Sequence, residues 1–69
     1  MSIERDLKLA QAESRIEQAE RNIRQVESLV PQLTAQGYST SELESHLGLM
    51  TEALFHLKEQ RRLIRSSYH

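Results

Sequence analysis

The sequence contains no cysteine, one proline and two glycines, and only 4% of its residues are aromatic. Without cysteine it can form neither disulfides nor thiolate metal sites. Its apolar residues never form a run near the roughly 18 that a membrane-spanning helix requires. Charges begin at Glu4 and no apolar stretch follows, so we expect no signal peptide and predict a cytoplasmic protein. So little proline and glycine also favours helices, which these two residues disfavour most.

Charge is abundant but balanced, because Asp, Glu, Lys and Arg make up 28% of the residues while the formal net charge is −1. A nearly neutral chain has no overall field that would attract nucleic acid or an anionic membrane. A chain of 69 residues can build only a small core, and proteins of this size often gain stability by oligomerisation. We therefore expect one domain, residues 1–69.

Two segments carry a heptad seam, in which the seam residues alternate at spacings of three and four. In the first segment the seam residues are Leu9, Ala12, Ile16, Ala19, Ile23, Val26, Val30 and Leu33. In the second they are Leu43, Leu47, Met50, Leu54, Leu57, Arg61 and Ile64. The pattern predicts an all-α protein with helix one at about residues 3–36, a turn at about 37–39 and helix two at about 40–66. Pro31 lies within the first seam, so we expect helix one to be kinked or looser there.

The stretch AQGYSTSELE, residues 35–44, separates the two seams. Gly37 is expected to end helix one in the left-handed conformation, which glycine adopts without a Cβ penalty. Ser39 is then expected to cap helix two, with Glu42 completing a capping box, while Ser41 with Glu44 is the competing register. The chain should therefore reverse direction within this stretch.

A reversal near residue 38 brings together positions whose numbers add up to 76 or 77. Seam residues paired in this way are apolar on both sides, except where Arg61 lies opposite Ile16. This agreement predicts an antiparallel two-helix hairpin. The Arg61 side chain is expected to extend toward a carboxylate of helix one, and the three candidates are Glu13, Glu17 and Glu20.

Eight further apolar residues are not used by this seam, and a hairpin that buries one stripe per helix has too thin a core to offset the loss of backbone entropy. They are Ile3, Leu7, Ala10, Leu29, Leu49, Ala53, Phe55 and Leu63. Helix bundles need a wider apolar face than a two-position seam supplies. We therefore predict that these residues form an oligomer interface, and we favour a homodimer that forms a four-helix bundle.

Three histidines are the candidate imidazole ligands in the chain. His46 and His56 each follow a glutamate by four residues, whereas di-iron bundles use Glu-x-x-His; the third, His69, is the last residue. Gly48 is solitary, so there is no glycine-rich phosphate loop, and we expect it to mark either a close helix approach or a weak point in helix two. We accordingly expect no metal, no cofactor, no catalytic residues and no enzymatic activity.

Helix two ends in a basic cluster, KEQRRLIRSSYH. Lys58, Arg62 and Arg65 share one helical face, and Tyr68 with His69 adds rings that can stack, so the cluster could bind a nucleic-acid backbone. Cations near a helix C-terminus also offset the helix dipole without any ligand. Because the chain as a whole is nearly neutral, with a formal net charge of −1, and carboxylates of helix one should lie beside these cations, we keep nucleic-acid binding only as an alternative.

The runs AESRIEQAERNIRQVESLVPQLTAQGYSTSELE and LGLMTEALFHLKEQR resemble short uncharacterised helical proteins predicted from alphaproteobacterial genomes. The likeness covers about residues 10–61, with Pro31 as a departure from the pattern. The matching positions are Ala12, Glu13, Ile16, Glu20, Arg21, Ile23, Gly37, Tyr38, Ser39, Thr40, Glu42, Glu52, Leu54 and His56. The resemblance implies a bacterial cytoplasmic protein with the same hairpin, and it implies no activity and no site residues.

These observations lead to two hypotheses about function. The first is a small structural or protein-interaction module that self-associates through its heptad-patterned helices and offers its outer faces to a protein partner. The alternative is a small nucleic-acid-associated regulatory protein that uses the basic face of helix two.

Overall fold

Two packed helices make up the part of the chain that the computed structural model describes, residues 3–67. Helix α1 is Ile3–Ala35 and helix α2 is Ser41–Ser67. The end of α1 and both ends of α2 therefore lie one residue from the expected positions. The helices run in opposite directions, because Glu13 in the first half of α1 contacts Arg65 near the end of α2. The predicted all-α architecture, with two helices packed against each other, is confirmed.

The end of α1 is a Schellman motif built on Gly37. Gly37 has a φ of 84°, its N–H donates to the Thr34 carbonyl at 3.0 Å, and the Tyr38 N–H donates to the Leu33 carbonyl at 3.0 Å. These two bonds satisfy carbonyls that the helix would otherwise leave unpaired. The prediction that Gly37 ends helix one in the left-handed conformation is confirmed.

Helix α2 begins directly after Thr40, whereas Ser39 or Ser41 was expected to be its N-cap residue. The Glu44 N–H donates to the Thr40 carbonyl at 2.9 Å, which is the first bond of the helix. The Thr40 hydroxyl donates to the Glu44 carboxylate at 3.2 Å. The two serine hydroxyls lie 3.3 Å from each other. The N-cap position therefore falls on the residue between the two expected positions, and the hydroxyl of that residue bonds to a side chain.

Pro31 lies inside α1 without ending it. The helix continues from Pro31 to Ala35, although proline has no N–H and one i→i−4 bond is therefore missing. At the C-terminus the Gln36 N–H is shared between the Gln32 carbonyl at 3.2 Å and the Leu33 carbonyl at 3.1 Å. Pro31 is exposed, so its ring is on the outer side of the hairpin, where it does not disturb the seam.

The core of the hairpin is thin. Within residues 3–67 only Ala12 and Ile16 are buried, with 6% and 3% of their surface exposed, and the other seam residues are half-buried. The molecule measures 55 × 14 × 10 Å and has a radius of gyration of 16.2 Å, whereas a compact chain of this length has about 11 Å. Each helix therefore packs on its neighbour along one side only.

Candidate interaction surface

One edge of the hairpin is held by ion pairs between the two helices. Glu13 Oε1 lies 2.9 Å from Arg65 Nη2, and Glu20 Oε2 lies 3.8 Å from Lys58 Nζ. The two carboxylates are seven residues apart on α1, and the two cations are seven residues apart on α2. The repeat therefore places both pairs on the same side of the hairpin. We call this side, defined by these four residues, the charged edge.

Arg61 also reaches the charged edge from its place in the seam. Its Nη1 lies 3.2 Å from Glu13 Oε2, and 27% of its side chain is exposed. The prediction that this guanidinium extends toward a carboxylate of helix one is confirmed, with Glu13 as the partner. Glu13 thus binds two arginines, Arg61 and Arg65. The one charged residue of the seam therefore has its counter-charge on the other helix.

The three cations of the candidate nucleic-acid face each have a carboxylate partner. Lys58 and Arg65 pair with α1 as described, and Arg62 Nη2 lies 3.1 Å from Glu59 Oε2 on its own helix. The hydrogen bonds that Arg62 donates to the Glu59 carboxylate, and secondly the negative charge of Glu59, raise the pKa of Arg62 above its ordinary value. These exposed pairs contribute little stability, because water screens them, but they neutralise the face locally. Tyr68 and His69, the stackable rings of this prediction, lie outside the described residues.

The opposite edge of the hairpin has a different chemistry. Arg15 and Leu63 each lie two residues from a member of the charged edge, which is about 200° around an α-helix. Both line one open depression, whose other walls are Lys8, Gln11, Ala12, Gln60 and Ile64. Leu29 lies fourteen residues after Arg15, Ala53 lies seven before Gln60 and Leu49 lies fourteen before Leu63. These three residues therefore lie on the same side of the hairpin as the depression. We call this side, defined by Leu29, Leu49, Ala53 and Leu63, the leucine edge.

All eight residues of the predicted oligomer interface are exposed. The exposed fraction is 82% for Ile3, 58% for Leu7, 44% for Leu29, 65% for Leu49, 61% for Phe55 and 52% for Leu63, and Ala10 and Ala53 are exposed as well. Large apolar side chains that are exposed side by side are typical of a surface that meets another protein.

The eight residues do not form one surface. Four of them define the leucine edge. Phe55 and Ala10 lie on the charged edge instead, because each precedes a member of that edge by three residues, Lys58 and Glu13 respectively. Ile3 lies seven residues before Ala10 on the same side, and Leu7 points away from α2. The heptad register therefore divides the predicted interface into two sides.

A row of glutamines on the leucine edge is a feature that sequence reasoning missed. Gln11, which lines the depression, is followed at intervals of seven by Gln18, Gln25 and Gln32. Gln18 Nε2 donates to Asn22 Oδ1 at 3.0 Å. The signal was available in the sequence, because four glutamines at one heptad position are visible on a helical wheel. We call this row the amide stripe.

The histidines of α2 within residues 3–67 lie in no cluster of three potential metal ligands. Both His46 and His56 are exposed, and the ring of His56 packs edge-on against Phe55 with centroids 5.9 Å apart. Within residues 3–67, no three histidine, aspartate or glutamate side chains lie close enough to share an ion. Neither α1 nor α2 contains a long enough apolar stretch to cross a membrane within these residues. His69 lies outside them.

Comparisons with protein-family models, with curated proteins and with solved structures gave no match. The resemblance to the alphaproteobacterial group therefore stays a prediction. The two edges of the hairpin are the features that bear on what the chain can do.

Proposed function

We propose that this chain is a small structural or protein-interaction module that self-associates, with a dimer forming a four-helix bundle. The observation that carries the proposal is the imbalance between core and surface. Two residues are buried within residues 3–67, while six large apolar residues of α1 and α2 are between 44% and 82% exposed. A second copy that covers those of them on one side of the hairpin removes apolar surface from water, at roughly 25 cal/mol per Å².

The size of the exposed surface supports the same proposal. The chain exposes 5376 Å², whereas a compact monomer of its mass exposes about 4,450 Å². The excess is about 900 Å², which is comparable with the ~800 Å² that each partner buries in a standard interface. An assembly of two chains could therefore restore the burial that a single hairpin lacks.

The nucleic-acid alternative has less support. A phosphate backbone would have to displace Glu20, Glu59 and Glu13 from Lys58, Arg62 and Arg65. Each displacement leaves a carboxylate beside the incoming phosphate, and like charges repel. We therefore place this function second. The proposal also includes the absence of enzymatic activity, a cytoplasmic location and membership of the bacterial group named above.

Sedimentation equilibrium tests the proposal directly. Measured over a concentration series at low and at high salt, the mass should rise to twice the chain mass of 8.0 kDa. The dissociation constant should change little with salt, because apolar contacts are not screened. A monomer at every concentration would reject self-association, and a dimer that dissociates steeply with salt would point to the charged edge instead.

A further inference from the structure

One line of exposed residues on α2 begins and ends with a leucine. Leu49, Ala53, His56, Gln60 and Leu63 follow each other at spacings of four, three, four and three residues, so they form one stripe along the leucine edge. All five are exposed. The stripe contains no Asp, Glu, Lys or Arg, and such depletion of charge is what distinguishes the core of an interface from other surface. We call this line the α2 stripe.

The α2 stripe is complementary to itself when it is turned end for end. If a second α2 lies antiparallel to the first with His56 at the centre, Leu49 of each copy meets Leu63 of the other. Ala53 meets Gln60 of the second copy, and His56 meets His56. The contact is isologous, since every residue pair occurs twice except His56 with His56 on the axis, and it closes at two copies.

The amide stripe of α1 decides between the two ways in which a pair of leucine edges can stack. A twofold axis along the helices would place α2 on α1 of the second copy, so Leu49 would lie near Leu29 but the rest of the α2 stripe would cover glutamines and Arg15. Buried amides without partners cost roughly 1–3 kcal/mol each. A twofold axis across the helices places α2 on α2 and α1 on α1. Leu49 then meets Leu63, and the glutamines of the two amide stripes, which share this side of α1 with Arg15 and Leu29, meet each other and can form hydrogen bonds.

We propose that two copies stack through their leucine edges about a twofold axis across the helices at His56, with α2 antiparallel to α2 of the second copy. This arrangement rests on the self-association proposed above and specifies its surface and its partner. It leaves the charged edge, with Phe55, on the outside of the dimer. That outer side is then free for a different protein.

A charge exchange across the axis tests the arrangement. The variants are Leu49→Lys, Leu63→Glu and the double variant with both changes. Both positions are exposed, so helicity measured by circular dichroism should be retained. Each single variant should weaken the dimer by roughly 100-fold, since each removes two apolar contacts. In the double variant the introduced lysine of each copy meets the introduced glutamate of the other, so affinity should recover to within about tenfold of the unchanged protein.

The outcomes separate this inference from the proposed function. If the unchanged chain is a monomer, self-association itself is rejected. If it is a dimer but the single variants leave the dissociation constant unchanged, or the double variant is weaker than both, the antiparallel α2 contact is wrong and self-association stands. Recovery in the double variant supports the arrangement, because a twofold axis along the helices would not place Leu49 of one copy opposite Leu63 of the other.

Cross-linking gives a second readout that does not depend on affinity. The chain has no cysteine, so a single His56→Cys change introduces the only thiol. At the twofold axis two such thiols face each other, and mild oxidation should give a covalent dimer. Phe55→Cys is the matched control, because it is the neighbouring exposed residue and lies on the charged edge. Equal cross-linking of both variants, or cross-linking of the control alone, would overturn the proposed axis.

Discussion

Glu13 accepts a hydrogen bond from Arg65 at 2.9 Å across the hairpin and at the same time pairs with Arg61 at 3.2 Å. One carboxylate of α1 thus holds two guanidinium groups of α2. One of them stands in a seam position that is otherwise apolar. The pair fixes which flank of α1 meets which flank of α2, and both the charged edge and the leucine edge follow from it.

Replacing Glu13 should destabilise the hairpin. Glu13→Gln removes the charge that Arg61 and Arg65 share and leaves a half-buried guanidinium without a counter-charge. We expect the free energy of unfolding to fall by about 1–2 kcal/mol, measured by urea denaturation at low salt. Glu17→Gln is the matched control: Glu17 is exposed one turn away, and its replacement should change stability by less than about 0.5 kcal/mol. Equal effects of both changes would contradict the role given to Glu13.

Replacing Arg61 by leucine should stabilise the hairpin. Arg61 lies opposite Ile16, and a leucine there completes the apolar seam while Arg65 keeps its bond to Glu13. We expect an increase of about 1 kcal/mol, because hydrophobic replacements of part-buried charges are often neutral or stabilising. Arg61→Ala is the control, since it removes the charge without filling the seam and should not stabilise. Thermal denaturation of the three proteins at one concentration compares them, and a loss of stability in Arg61→Leu would show that the polar layer is needed.

Gly48 should lower the stability of α2, and replacing it by alanine should raise the free energy of unfolding. It lies in the middle of α2, and a Cβ built on it would meet nothing within 4 Å. Of the two expectations, close approach of the helices is therefore wrong. Gly48→Ala should raise the free energy of unfolding by roughly 1 kcal/mol, because alanine restricts the unfolded chain and has a higher helix propensity. Urea denaturation at matched protein concentration measures it, and no gain would mean that another molecule needs this space.

The same change at the other glycine should act in the opposite direction. Gly37 has a φ of 84°, although a Cβ there would also meet nothing within 4 Å. The cost of Gly37→Ala therefore comes from the left-handed backbone conformation, and no neighbouring atom clashes with the added Cβ. We expect the free energy of unfolding to fall by roughly 1–2 kcal/mol. Comparing it with Gly48→Ala tests the Schellman motif, since both remove a glycine from an open site. Equal stabilisation by both would contradict the left-handed turn.

The heptad seam predicted the hairpin, because folding the chain back near residue 38 pairs apolar residues of the two stripes everywhere except at Arg61. Gly37 and the Arg61–Glu13 contact were also predictable, since each follows from a local conformational or charge requirement. The cap was not, because Ser39, Thr40 and Ser41 offer similar hydroxyls and the path of the turn chooses among them. The sequence alone did not show that the eight exposed apolar residues lie on two different sides of the hairpin. That conclusion required the ion pairs between the helices, which show which side of each helix faces which edge.

The charged edge should bind nucleic acid only after its carboxylates are neutralised. Lys58, Arg62 and Arg65 are paired with glutamates, so we expect no measurable binding of the unchanged chain to duplex DNA at physiological salt. Changing Glu13, Glu20 and Glu59 to glutamine raises the net charge by three and leaves the cations unpaired. This variant should gain an affinity that falls steeply as salt is raised. Fluorescence anisotropy with a labelled duplex measures both proteins, and circular dichroism checks the fold of the variant. Micromolar, salt-dependent binding by the unchanged chain would favour the regulatory alternative over the structural one, because the ion pairs would then have to open at little cost.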